Sequence, residues 1–124
     1  MSIKVGINWF GLIGRNIVRA FAASPRRDIE IVAINDLADI DTAAFLLEFD
    51  SVHGRLSQQV THDGTALTTS FGAVRFMSEP DPAAINWADL GVDVVFECTG
   101  IFTAADKASV HLAGGAKKVL VSAP

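Results

Sequence analysis

The stretch Val5-Gly-Ile-Asn-Trp-Phe-Gly-Leu-Ile-Gly-Arg15 decides the fold. A short run rich in β-branched residues leads into it, and apolar residues at helical spacing continue from it to about residue 23. This order predicts a strand, a tight turn and a helix. Such a turn directs unpaired backbone N–H groups and the positive end of the helix dipole at one point beyond the strand, and that point suits a phosphate group.

The turn carries part of a dinucleotide-binding fingerprint. The full pattern is G-x-G-x-x-G, and Gly11 and Gly14 occupy its second and third glycine positions, whereas Trp9 occupies the first. Two glycines at this spacing also arise at helix starts from ordinary close packing. The turn alone therefore leaves both interpretations open.

A second apolar strand completes a βαβ unit around this turn. Residues 3–7 and 29–34 are nearly continuous apolar runs, which is typical of parallel strands covered on both faces, and the helix predicted over residues 11–23 separates them. Together they span about thirty residues, the length of one right-handed βαβ unit. The glycine-rich turn therefore lies where the fingerprint requires it.

An acidic residue follows the second strand at the spacing expected for ribose recognition. Asn35 and Asp36 end this run, and Asp36 lies 22 positions beyond Gly14. In the functional interpretation its carboxylate accepts hydrogen bonds from the ribose hydroxyls of NAD and repels the extra phosphate of NADP. In the alternative interpretation it is a helix cap or a turn residue, because Asp is common at both.

A second helix is predicted over residues 41–49, since Asp41-Thr42 is typical of a helix start. The polar turn after it contains His53, which could be catalytic or structural. We interpret it as structural because no nucleophile accompanies it.

An antiparallel excursion is predicted over residues 60–76, where Gly-containing turns separate short β-prone segments. We expect His62, within this excursion, to be exposed. Asp81-Pro82 then predicts the start of a short helical piece that ends near residues 87–90.

Two further strands are predicted over residues 92–98 and 117–121, and Thr99-Gly100 and Ser122 follow their carboxyl ends. The helix between them begins at a capping box of Thr103 and Asp106 and ends at Gly114-Gly115. Ligands of open α/β sheets bind at the carboxyl ends of the strands. We therefore predict an α/β fold with a doubly wound, mostly parallel sheet of the Rossmann type. Because the chain stops on this ligand side of the sheet, we expect it to be part of a longer protein.

Length and composition indicate one domain that occupies residues 1–124. Half of the residues are hydrophobic and 19% are charged, and the formal net charge is −4 with scattered basic residues. We therefore expect neither a nucleic acid nor a membrane as partner. The chain has one cysteine, Cys98, and neither a signal-like amino terminus nor an apolar run of membrane-spanning length, so we expect cytoplasmic residence.

Five runs together carry a family resemblance: VGIN-x-FG-x-IGRN, VAINDL, FDSVHGR, GVDVVFECTGIF and GAKKVLVSAP. In this order they resemble the amino-terminal NAD-binding domain of phosphorylating glyceraldehyde-3-phosphate dehydrogenase, over essentially all 124 positions. The resemblance implies NAD as cofactor, with Asp36 on the adenosine ribose and the amides of Leu12 and Ile13 on the pyrophosphate. It also implies that Thr99, Gly100 and Phe102 line the nicotinamide half and that Ser122 lies near the cofactor. The full set of cofactor-binding residues predicted in this way is Phe10, Gly11, Leu12, Ile13, Gly14, Asn35, Asp36, Thr99, Gly100, Phe102 and Ser122.

The resemblance also implies which functions this chain lacks. In the family, the catalytic cysteine and its activating histidine belong to a second domain, and no residue here corresponds to them. Cys98 does not replace that cysteine, because it ends an apolar strand without a visible basic partner and such cysteines behave as small hydrophobic residues. We therefore expect no catalytic residue and no turnover from the chain alone.

The departures from the family pattern leave two hypotheses open. Trp9 stands where the family has Gly, Leu12 where it has Arg, and Pro80 where it usually has Arg beside the adenine. In the first hypothesis the chain is the NAD-binding domain of a glycolytic oxidoreductase. In the second it is an isolated or engineered module in which the apolar loop around Trp9 and Leu12 impairs NAD binding and serves self-association or partner binding. A homo-oligomer is expected in either case.

Overall fold

The computed structural model describes residues 2–8, 12–23, 28–50, 54–55, 61–69, 72–98 and 105–121. It contains three α-helices in these ranges: α1 (Leu12–Ala23), α2 (Ile40–Glu48) and α3 (Ala105–Ala113). The strands are β1 (Ile3–Asn8), β2 (Ile29–Asn35), β3 (Phe49–Asp50), β4 (Gly54–Arg55), β5 (Thr61–His62), β6 (Ala66–Thr69), β7 (Gly72–Met77), β8 (Val94–Glu97) and β9 (Lys118–Val121).

Seven strands form one sheet in the order β5-β6-β7-β2-β1-β8-β9. The five strands from β7 to β9 in this order are parallel, and β5 and β6 add antiparallel pairs at one edge. The chain proceeds from β1 outward to β2 and β7 and then returns to β8 on the other side of β1. The prediction of a doubly wound, mostly parallel sheet with an antiparallel excursion is confirmed, and the topological switch point lies between β1 and β8.

The core has one cluster on each face of the sheet. Neighbouring residues along a strand point to opposite faces, so Val5 and Ile7 of β1 join a cluster with α1 and α2, whereas Gly6 faces Trp87 of the other cluster. The buried members of that second cluster are Ala33, Ile85, Trp87, Val92, Val95 and Ala116. Both faces of the central strands are covered, which explains their nearly continuous apolar sequence.

The second helix begins earlier than its sequence pattern predicted. Asp39, not Asp41, is the cap, because its Oδ1 accepts a hydrogen bond from the Thr42 amide at 2.8 Å. The helix therefore starts at Ile40 and ends at Glu48, and Phe49 is already extended.

Two smaller predictions are wrong. His62 was predicted to be exposed but is partly buried. Its side chain is only 27% exposed, and its Nε2 lies 2.5 Å from Oδ1 of Asp41. The helical piece after Asp81 begins at Pro82, as predicted, but it ends at Ala84 after one 3₁₀ turn and does not reach residues 87–90, which lie in hydrogen-bonded turns. Beyond it, the Val92 amide donates to the carbonyl oxygen of Trp87.

Several predictions concern residues that the structure does not describe. His53, Thr103 and residues 9–11 of the apolar loop lie outside the described residues. The predicted helix end before Gly114-Gly115 is confirmed, since α3 ends at Ala113. In the described part of the chain, none of the helices is both long and apolar enough to cross a membrane.

Candidate functional site

Three buried polar residues meet where the central parallel strands end. Asn8 of β1 lies in register with Asn35 of β2 on one side and with Glu97 of β8 on the other. All three are nearly inaccessible, at 3%, 4% and 0% exposure. Buried polar groups cost free energy unless they are hydrogen-bonded, so their partners define this edge.

Asn35 joins the end of β2 to the segment that follows β7. Its Nδ2 donates to the carbonyl oxygen of Glu79 at 2.9 Å, and its Oδ1 accepts from the Glu79 amide at 2.8 Å. The same Nδ2 donates to Oδ1 of Asn8 at 2.9 Å. We call the paired contact with the Glu79 backbone the Asn35–Glu79 bracket. It borders a cleft of about 580 Å³ between β7 and residues 84–90.

Glu97 accepts hydrogen bonds from two directions. Nδ2 of Asn8 donates to its Oε2 at 2.8 Å, and Nε2 of His111 lies 2.5 Å from the same oxygen. On the far side of the imidazole, Nε1 of Trp87 donates to Nδ1 of His111 at 3.1 Å. Trp87, His111 and Glu97 are all fully buried.

Trp87 occupies a slot that two glycines leave open. A Cβ on Gly6 would lie 2.5 Å from Cζ3 of the indole, and one on Gly114 would lie 2.6 Å from the carbonyl oxygen of Ile85 and 3.1 Å from Cδ1 of the indole. Real Cβ atoms do not approach other heavy atoms so closely, so only glycine fits at these two positions without a shift. The two glycines therefore set the position of the indole N–H, which donates its hydrogen bond to His111.

Asp36 lies at the carboxyl end of β2, next to the bracket. Its amide donates to the carbonyl oxygen of Met77 at 2.9 Å, and its Oδ1 accepts from the Ala38 amide at 3.2 Å. The residue is 7% exposed. Within the described part of the chain, its second carboxylate oxygen accepts no hydrogen bond, so it retains capacity for a ligand hydroxyl.

The start of α1 supplies the second feature of a dinucleotide site. Leu12 and Ile13 are its first two residues, and buried Gly14 is its third. The helix follows β1, so its amino-terminal N–H groups and positive dipole end lie on the carboxyl side of the sheet. The remaining residues predicted to bind cofactor lie outside the described residues: Phe10, Gly11, Thr99, Gly100, Phe102 and Ser122.

Cys98 directly follows β8, where its amide donates to the carbonyl oxygen of Asn8 at 3.0 Å. Its half-buried side chain packs against the first core cluster. This packing is typical of a cysteine that acts as a small hydrophobic residue.

Sequence reasoning missed Glu97, His111 and Trp87. The signal that could have found Glu97 is a charged residue inside the apolar run VVFEC, because a buried carboxylate requires donors. His111 and Trp87 carry no comparable signal, since histidine and tryptophan are common on half-buried helices and turns.

Comparison with known proteins agrees with this architecture. Residues 3–105 match a family model described as glyceraldehyde 3-phosphate dehydrogenase, NAD binding domain. The chain is 53% identical over 125 residues to the chromosomal glyceraldehyde-3-phosphate dehydrogenase of Cupriavidus necator. It is 54% identical over 124 residues to glyceraldehyde-3-phosphate dehydrogenase 1 of Streptomyces avermitilis. In each case all of the chain is matched but only 37% of the relative's length.

The family match covers most of the chain, and the relatives agree over its whole length. The sheet order is consistent with the Rossmann-type α/β fold of such a domain. The chain therefore belongs to the family of NAD-binding domains of glyceraldehyde-3-phosphate dehydrogenase, and it spans about a third of the length of the relatives it matches.

Proposed function

We propose that this chain binds NAD across the carboxyl edge of its sheet, as the cofactor domain of a phosphorylating glyceraldehyde-3-phosphate dehydrogenase. The observation that carries the proposal is the placement of Asp36. Its carboxylate lies at the end of β2, with one oxygen held by the Ala38 amide and the other available for a ribose hydroxyl. The start of α1 follows β1, the strand next to β2 in the sheet, and it suits the pyrophosphate.

Each predicted residue has a role in this proposal. Asp36 accepts from the ribose hydroxyls, and the amides of Leu12 and Ile13 donate to the pyrophosphate. Gly11 and Gly14 allow close approach of the turn, with Phe10 beside them. Thr99, Gly100 and Phe102 would line the nicotinamide half, and Ser122 would lie near the cofactor. Asn35 acts indirectly, because its amide is engaged by Asn8 and Glu79.

Bound NAD would accept a hydride when the complete enzyme oxidises its aldehyde substrate through a thiohemiacetal. This domain contributes binding and orientation, since the resemblance places the catalytic cysteine and histidine in a second domain. In this proposal the substrate of the whole enzyme is glyceraldehyde 3-phosphate, and the enzyme acts in the cytoplasm. No nucleic acid and no membrane take part.

Cofactor choice tests this proposal directly. Isothermal titration calorimetry of the chain should show tighter binding of NAD than of NADP, because Asp36 would face the 2′-phosphate with like charge. Asp36→Ala should reduce the preference. Glu30→Ala, which removes an exposed carboxylate at the opposite end of β2, should leave it unchanged. Equal affinities for both dinucleotides in the parent would refute the placement of Asp36 at the ribose.

A homo-oligomer is the second part of the proposal. Phe45 and Phe49 are exposed large hydrophobic residues, at 60% and 38%, and their ring centroids are 4.9 Å apart. Such paired aromatic residues are typical of contact surfaces. The alternative function, a module whose Trp9 and Leu12 loop binds itself or a partner instead of NAD, uses a different surface.

Three single variants separate these surfaces. Sedimentation equilibrium should show an assembly that Phe45→Glu weakens if the α2 surface forms the contact, and one that Trp9→Gly or Leu12→Arg weakens if the loop forms it. Calorimetry on Trp9→Gly/Leu12→Arg then decides the function. NAD binding recovered only in this double variant would favour the alternative, and a parent that stays monomeric would refute the homo-oligomer.

A further inference from the structure

One buried series of hydrogen bonds crosses the floor of the proposed cofactor site. It runs from the Glu79 backbone through Asn35 and Asn8 to Glu97, and from Trp87 through His111 to the same carboxylate. It links the ends of β2, β1 and β8 with the segment after β7 and with α3. This series therefore spans the switch point of the sheet from one side to the other.

The direction of every bond on the Trp87 side follows from one group. An indole N–H is a donor only, so Nδ1 of His111 must accept from Trp87. A neutral imidazole whose Nδ1 accepts carries its proton on Nε2, and this Nε2–H donates to Glu97. Trp87 in this way selects the imidazole tautomer.

The direction on the other side is fixed as well. The Glu79 amide donates to Oδ1 of Asn35, whose Nδ2 donates to Oδ1 of Asn8. Asn8 can then offer only its Nδ2 to Glu97. Donors thus converge on Oε2 of Glu97 from both directions, and an ionised carboxylate, which only accepts, is suited to that position.

We propose that Glu97 is a positioning residue of the cofactor site, which as the common acceptor orients the Asn8 amide and thereby keeps the Asn35–Glu79 bracket closed beside Asp36. Without an acceptor at Glu97, the orientation of the Asn8 amide would depend on the hydrogen bond from Asn35 alone. An Asn8 amide that rotated to find another acceptor for its Nδ2 would present a donor to the donor of Asn35. The Nδ2 of Asn35 could then not donate hydrogen bonds to Asn8 and to the carbonyl oxygen of Glu79 at the same time.

The consequence for the ligand concerns the adenosine half. The bracket fixes the Glu79 segment against the end of β2, and the amide of Asp36 is bound to Met77 at the end of β7. Loosening the bracket therefore loosens the backbone that holds the proposed ribose acceptor. This inference rests on the proposed NAD site, but the state of the bracket is measurable without a ligand.

The test compares Glu97→Leu with Glu97→Gln. Leu removes the acceptor, whereas Gln can place its Oε1 where Oε2 of Glu97 lies and accept from both donors. Val95→Ala, on the same strand and face and fully buried, is the matched control for general destabilisation. The readouts are hydrogen exchange of the Glu79 backbone amide and the Kd of NAD and of ADP-ribose.

We expect Glu97→Leu to accelerate exchange at Glu79 and to raise both Kd values by about tenfold, the effect of one lost hydrogen bond with a buried partner left unpaired. Glu97→Gln should restore both readouts to within about threefold of the parent. Val95→Ala should leave unchanged the ratio of the exchange rate of the Glu79 amide to the exchange rates of the amides between β1 and β2. If Glu97→Leu does not fold, Asn8→Ala tests the same link and should accelerate exchange at Glu79.

The contrary results are distinct. Unchanged exchange at Glu79 in Glu97→Leu and Asn8→Ala, or a Gln variant that behaves as Leu does, would overturn the role of Glu97 as acceptor. Unchanged Kd values with accelerated exchange would overturn its role in positioning the site. A parent that binds neither NAD nor ADP-ribose would instead refute the proposed function, whatever the exchange shows.

Discussion

The slot of Trp87 makes a sharp prediction for Gly6→Ala. Gly6 is buried in β1, and a Cβ at this position would lie 2.5 Å from Cζ3 and 2.9 Å from Cε3 of the indole. The indole is fully buried and its Nε1 is bound to His111, so it has little freedom to withdraw. The added methyl group must push the indole or the strand by about an ångström to reach ordinary van der Waals contact.

The magnitude follows from two opposing terms. In a strand, Ala is favoured over Gly by about 0.5–1 kcal/mol because Gly loses more conformational freedom on folding. Overpacking a dense core costs about 1–3 kcal/mol, and so short a contact belongs at the upper end. We therefore expect a net loss of about 2 kcal/mol. For a chain of this length the unfolding entropy is about 0.26 kcal/mol/K, so Tm should fall by about 8 °C.

The assay is urea unfolding of a double-mutant cycle with Trp87→Leu. If the indole causes the loss, Gly6→Ala should cost almost nothing in the background of the Trp87→Leu variant, or should stabilise slightly. A neutral or stabilising Gly6→Ala in the parent would refute the reasoning. So would a loss of equal size in both backgrounds, because the strain would then lie in the strand itself.

Three further predictions concern other parts of the molecule. Arg19→Met should destabilise the fold by about 1–2 kcal/mol in urea unfolding, since its guanidinium donates to the last two carbonyl oxygens of α2 at 2.9 Å. The Lys4 amide, and then Lys117, hold the pKa of Asp93 below its ordinary value of 3.8. The stability that this carboxylate contributes is complete above that value and is lost as pH falls through the lowered pKa. The free energy of unfolding of Asp93→Asn should therefore depend less on pH than that of the parent between about pH 5 and pH 2. The chain alone should not reduce NAD with glyceraldehyde 3-phosphate and phosphate, and measurable turnover abolished by Cys98→Ser would contradict this.

Most of the fold could be predicted because its central elements are simple in sequence. Continuous apolar runs identified β1, β2 and β8, and the glycine-rich turn between β1 and α1 gave the βαβ unit. The small excursion was predictable for the same reason, since Gly-containing turns separate its strands. Errors occurred where two caps competed, as at Asp39 and Asp41, because both residues suit a helix start and only the backbone direction decides between them.

The floor of the candidate site could not be predicted, because its members are far apart in the chain. Asn8 and Glu97 are 89 positions apart and meet only through the register of β1 and β8. His62 and Asp41 show the same limit, since their contact depends on how β5 lies against α2. A sequence pattern indicates that a polar residue is buried, but the residue that satisfies it depends on tertiary packing.

In the proposed cofactor site, the adjacent residues Asn35 and Asp36 have different roles. Both were predicted to bind cofactor from their position after β2. Asn35 is still within the strand, so its side chain follows the alternation of the sheet toward the face of Trp87 and Glu97, where its amide is fully occupied. Asp36 lies beyond the strand, where alternation no longer applies, and one of its oxygens is held by a turn amide. Because the inner residue fixes the backbone from which the outer one projects, Asn35→Ala should impair ribose recognition without any direct contact between Asn35 and NAD.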